Sequence, residues 1–168
     1  TEQPVISNCP SNIVVGNASG QCSAPVNWTL PTAIDNCGIN SFTSSHASGS
    51  IFPAGVTTVT YTAIDNSGNR SSCSFAVTVE DRETPTVTCP SNITRGECEN
   101  PITYSTPIGT DNCIATTTQI AGLGSGSNFP VGTTTETYEV SDTSGNSATC
   151  SFTVTIDPLP VVTLDTID

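Results

Sequence analysis

Lysine is absent from the 168 residues, methionine is absent too, and one histidine and one tryptophan stand beside three arginines. Fifteen acids oppose those three cations, leaving a formal net charge of −12. Such a chain repels phosphate backbones and anionic lipid surfaces, which argues against nucleic-acid and membrane-surface binding. No apolar run of about 18 residues exists, so membrane insertion through a spanning helix is not expected. No window carries a helical 3.6-residue period. No signal-peptide pattern opens the chain either, and the expectation is a mature or excised segment whose parent continues beyond both ends.

Cysteine, by contrast, is plentiful. Cys9, Cys22, Cys37, Cys73, Cys89, Cys98, Cys113 and Cys150 fall four to each half, with no CxxC pair of the metal-binding kind. That pattern reads as disulfides made in an oxidising compartment, hence an extracellular or cell-surface protein. The halves are also written alike. CPSNI occurs at 9–13 and 89–93, DNC at 35–37 and 111–113, FPxG at 52–55 and 129–132, and DNSGN at 65–69 returns as DTSGN at 142–146. The offset stays between 76 and 80 residues, which is a duplicated domain rather than a solenoid repeat. Residues 1–83 and 84–157 are the two expected domains, joined at the charged run Glu80, Asp81, Arg82, Glu83. Residues 158–168 resemble the first strand of a third copy. Domains of about 80 residues have marginal cores, so cross-links are expected to compensate.

Val56–Ala63 and Cys73–Val79 alternate apolar with Thr or Ser residues, the period of a half-buried strand. Val5–Cys9, Pro25–Thr29, Thr86–Cys89, Ile102–Ser105, Thr133–Val140 and Cys150–Ile156 fit the same template. Short strands between Gly and Pro turn signals predict an all-β fold, two tandem immunoglobulin-like β-sandwiches.

Each half thus reads CPSNI, a DNC block, FPxGTT, D-x-SGN and CSF-x-VT, an ordered set that resembles the hyalin repeat (HYR) module over residues 4–157. The resemblance implies an immunoglobulin-like sandwich acting in adhesion or as a spacer, with neighbouring repeats of the same large protein as its partners. The lysine-free, four-cysteine form is similar to repeats of very large bacterial surface proteins, including the mobile adhesins of gliding bacteria.

Four cysteines allow three pairings per domain. Cys22 to Cys37 and Cys98 to Cys113 are both 15 residues apart, and this constant inner spacing suits a nested arrangement: Cys9–Cys73 around Cys22–Cys37, and Cys89–Cys150 around Cys98–Cys113. Calcium is the cofactor to weigh. An EF-hand loop starting at Asp65 needs glycine sixth and glutamate twelfth, where the chain has Arg70 and Ala76, so that loop type is excluded. A composite site remains, drawing on Asp35 or Asp65 with the linker acids Asp81 and Glu83, and on Asp111 and Asp142 in the second domain. The alternative is that these acids keep the chain soluble, and DNSGN is then a hairpin turn.

No enzyme is expected. Nucleophile elbow, HExxH and phosphate loop are all missing. His46 sits in a Ser/Gly-rich loop and aligns with Leu123. Asp35 with Asp65, or Asp111 with Asp142, would need a cleft to act as paired carboxylates. Asn17, Asn27, Asn69 and Asn92 open N-x-S/T triplets. Trp28, Phe42, Phe52, Phe75, Phe129 and Phe152 read as core residues rather than a sugar-stacking platform, and Trp28 has no aromatic counterpart in the second unit, where Tyr104 is nearest. The functional expectation is a non-enzymatic, monomeric spacer or adhesive stalk; the alternative is recognition of a glycan or protein through the loops.

Overall fold

A computed structural model describes residues 2–160 of the chain. It contains two compact units that divide between Glu83 and Thr84. The first holds β1 (Val5–Ser7), β2 (Ile13–Gly16), β3 (Ser23–Pro25), β4 (Thr32–Ile34), β5 (Ile39–Ser44), β6 (Ile51–Pro53), β7 (Gly55–Asp65) and β8 (Arg70–Glu80). The second holds β9 (Ile93–Gly96), a 3-10 turn at Glu97–Glu99, β10 (Ala115–Ala121), β11 (Gly132–Asp142) and β12 (Ser147–Asp157).

The long hairpin of each unit follows from alternation. Val59, Tyr61 and Ala63 of β7 point one way and are buried, while Thr58, Thr60 and Thr62 between them are not. On β8 the buried set is Phe75, Val77 and Val79. The antiparallel register sets Val59 opposite Phe75 and Thr57 opposite Val77, which puts both apolar sets on one face. β2 joins β8 in parallel and β5 joins β7 antiparallel, giving the order β2-β8-β7-β5. The β3–β6 pair supplies Ala24 and Phe52 to the same core. Each fully buried Val or Phe contributes roughly 1.5–3 kcal/mol, and sheet facing sheet is the sandwich expected from the sequence.

The second unit repeats the order as β9-β12-β11-β10. Its core is Ile102, Phe129, Tyr138, Phe152, Val154 and Ile156. The pairs β1–β4 and β3–β6 are here reduced to single bridges, Thr86 to Thr110 and Ile102 to Ser127. The strands predicted at Thr86–Cys89 and Ile102–Ser105 are therefore extended segments with one bridge each. The strand predicted at Pro25–Thr29 lies earlier, at Ser23–Pro25, because β6 takes its ladder bonds from those residues. Pro158–Pro160 forms no strand, and residues 161–168 of the expected third copy lie outside the described residues.

Candidate functional site

The repeated D-x-SGN stretch closes the long hairpin in both units. In the first, the Asp65 carboxylate accepts the backbone N–H of Ser67 and of Asn69 on Oδ1, each at 2.8 Å, and the Asn69 side-chain amide on Oδ2 at 2.6 Å. Gly68 takes φ 88°, a backbone that any side chain would strain. Asp142 repeats the pattern with Ser144 N, Asn146 N and Asn146 Nδ2 at 2.8, 2.9 and 2.7 Å. Burial works to raise the pKa of both aspartates, but the Asn side-chain amide and the turn's backbone amides outweigh it and hold both below their ordinary value. These carboxylates are spent on the turn.

The other acids divide by position. Asp35 Oδ1 accepts Cys37 N at 2.8 Å, and its Oδ2 is buried without a hydrogen-bond partner. Asp111 accepts Cys113 N at 2.9 Å in the same way. Asn66 ties the Asp35 loop to the hairpin turn, donating from its backbone to Gly38 O and from its side chain to Cys37 O. At the far end of β8, Asp81 is buried and accepts Glu83 N, while Glu83 Oε1 accepts Gly20 N at 2.7 Å. The ten residue steps from Arg70 to Glu80 span about 33 Å at about 3.3 Å per residue. Asp65 and Asp35 therefore do not meet Asp81 and Glu83 of the same unit, and that half of the composite calcium site is not assembled.

The cysteines follow the same two ends. Cys9 bonds Cys73 and Cys89 bonds Cys150, each tying the start of a unit to its last strand. The inner bridges Cys22–Cys37 and Cys98–Cys113 are not formed: Cys37 and Cys98 are free and exposed, whereas Cys22 and Cys113 are half-cystines. The reason is distance. Cys22 O accepts Ala54 N, and the adjoining Asn17 N donates to Glu80 O, at the end where β8 finishes. Cys37 lies at the Asp65 end. In the second unit Cys98 follows β9, whose Gly96 pairs with Asp157, and Cys113 precedes Ala115, which pairs with Asp142. A disulfide needs Cα atoms within about 7 Å, so equal sequence spacing here marks opposite ends of a sandwich.

One polar cluster escaped the sequence reading. Glu136 is wholly buried at the position Val59 occupies in the first unit. Its Oε1 accepts Leu123 N at 2.8 Å, and its Oε2 accepts Tyr104 OH, Gln119 Nε2 and Gly124 N at 2.8, 2.9 and 2.9 Å. A Cβ on Gly122 would collide with this carboxyl group, so the Gly-rich loop is drawn onto it. Contrary to the expectation that Trp28 has no aromatic counterpart, Tyr104 takes its place in the second unit. Both exchange backbone bonds with a loop serine, Ser125 or Ser48, and both set an edge against the equivalent phenylalanine, Phe152 or Phe75. Trp28 Nε1 donates to Tyr61 OH at 2.8 Å; the smaller Tyr104 ring leaves room that Glu136 fills. Burial, then hydrogen bonds to Tyr138 and Glu136, push the Tyr104 phenol well above its ordinary range. The signal in the sequence was Glu136 standing on the apolar phase of TTETYEV.

No catalytic arrangement accompanies these features among the described residues. His46 bonds Ser45 and packs on Phe52. Phe52, Phe75, Phe129 and Phe152 are all core residues.

The HYR domain model matches residues 1–79 and again 80–156. Hyalin of Strongylocentrotus purpuratus is 41% identical over 170 residues, spanning 93% of this chain and 14% of hyalin. Sushi, von Willebrand factor type A, EGF and pentraxin domain-containing protein 1 of Rattus norvegicus is 37% identical over 165 residues, spanning 95% of this chain and 5% of that protein. Among solved structures, protocadherin gammaB7 EC3-6 matches 92% of this chain and 51% of its own at 15% identity, with a TM-score of 0.42. The chain therefore spans only a small part of the curated relatives it matches, and it belongs to the HYR domain family, of which it carries two consecutive members.

Proposed function

We propose that the chain is a non-enzymatic structural segment of an extracellular adhesion protein, one that spaces and braces neighbouring modules. The observation that carries this reading is the placement of the outer bridges. Each joins the beginning of a unit to its last strand across 64 or 61 residues, so a pull on the two ends of a unit runs through covalent bonds and leaves the sandwich loops slack. Bridges of that length stabilise by about 4 kcal/mol in the loop-closure account, and they suit an oxidising compartment such as the extracellular space. The relatives named above are animal proteins, and the expectation of a gliding-bacterium adhesin finds no support in them. Asp65 and Asp142 give their oxygens to the hairpin turns.

Recognition by the unit itself is the second reading. One observation favours it: a shallow groove of about 420 Å³ in the first unit, lined by Leu30, Pro31, Phe42, Ser44 and Tyr61 among others. A glycan array and a bead-adhesion assay with the two-unit chain separate the two. A spacer binds neither surface above a reduced, unfolded control; specific capture that L30A or F42A abolishes would replace the spacer reading with recognition.

A further inference from the structure

The free cysteines are anomalous in an otherwise oxidised chain. Cys37 is exposed at the end of the first unit where the chain enters, beside the turn whose Asn69 side chain bonds Glu2 O. Cys98 is exposed in the 3-10 turn at the end of the second unit where β12 finishes. Neither has a sulfur partner available within its own unit, for the reason of distance given above. Each has a repeat counterpart, though: Cys113 stands where Cys37 stands, and Cys22 where Cys98 stands, and both counterparts are half-cystines. The same two positions are thus oxidised in one copy and left free in the other, at the two places where a further module would attach.

We propose that Cys37 and Cys98 are the open halves of head-to-tail cross-links, Cys98 at the exit of one module bonding the Cys37 position at the entry of the next. The inference rests on the reading of this chain as a piece of an array. Chemically, the two thiols lose two protons and two electrons to a disulfide oxidant, which is reduced to thiols, through a mixed-disulfide intermediate. The partner is a second copy of this chain or a flanking module of the same kind. Acids crowd both thiols, Glu97 and Glu99 around Cys98 and Asp35 and Asp65 near Cys37, so encounter is favoured at physiological salt, where the screening length is about 8 Å.

The test uses this chain with oxidised glutathione as oxidant. C37S retains only Cys98 and C98S only Cys37. The mixture is expected to form a covalent heterodimer about tenfold or more faster than either variant dimerises alone, the advantage of a docked pair over random encounter. Peptide mapping of that dimer shows Cys37 joined to Cys98, and the native chain extends to longer oligomers. Equal rates for the mixture and the single variants, or no dimer in the mixture, overturn the proposal. So does non-reducing mapping of the native chain that joins Cys37 to Cys22 or Cys98 to Cys113. A parent protein without flanking modules would remove the array reading while leaving this rate comparison as it stands.

Discussion

Replacing Glu136 by glutamine keeps the volume of the side chain and changes which of its atoms accept. The native carboxyl group receives four donors, one on Oε1 and three on Oε2. Glutamine offers one carbonyl oxygen, so either Leu123 N or the trio of Tyr104 OH, Gln119 Nε2 and Gly124 N is turned toward an NH2 group. Each buried donor left unmet costs about 1–3 kcal/mol, and partial relaxation of the loop gives an expected loss of about 2–4 kcal/mol in the second unit. A unit of this size loses roughly 4–8 °C of melting temperature per kcal/mol. Calorimetry of the whole chain should therefore show a transition lowered by roughly 8–32 °C on that scale. Hydrogen exchange should accelerate at Leu123 and Gly124. The double variant Y104W/E136V copies the Trp28 and Val59 arrangement of the first unit and should recover part of what E136V alone loses, a coupling expected only of neighbours. An E136Q chain with unchanged melting and unchanged exchange at those two amides would refute the reasoning.

Acid should weaken the fold through the hairpin aspartates. Their folded pKa values lie below the ordinary 3.8, so their contribution is present above that value and is lost as pH falls through the depressed one. A melt series from about pH 6 to 2 should slope downward at the acid end, and D65N/D142N should flatten that slope; an unchanged slope contradicts the turn assignment. At the alkaline end the raised Tyr104 pKa means stability holds up to the ordinary phenol value of 10.0 and declines above it. Ultraviolet titration should show Y104F removing a phenol that ionises well above the ordinary range. Opening the Cys9–Cys73 bridge as C9S/C73S should cost about 4 kcal/mol by the loop-closure account; a loss below about 1 kcal/mol would mean strain or residual structure offsets it.

The long hairpins were legible because their alternation is strict: Val59, Tyr61, Ala63 and Phe75, Val77, Val79 leave one register that buries both sets. β5 and β10 were not, since INSFTS and ATTTQIA carry polar residues on both phases and owe their strand state to the edges of β7 and β11. The hairpin turn was readable from Asp, Gly and Asn at fixed places, and the outer bridges from cysteines beside the first and last strands. The inner cysteines misled. Linear spacing of 15 residues conceals a passage from one end of the sandwich to the other, which only the topology discloses. The separation of Asp65 from Asp81 and Glu83 was hidden in the same way, by about 33 Å of strand. Glu136 violated its own pattern, and a polar residue on the buried phase was the one mark of the cluster it anchors.

The bracing role is tested most directly by pulling a single chain from its two termini. The outer bridges withhold 64 and 61 residue steps from extension, about 440 Å at about 3.5 Å per residue. The oxidised chain should therefore unfold in short steps, with the missing length released only when a reducing agent is added. Full extension of both units under oxidising conditions, before any reductant, would contradict the account.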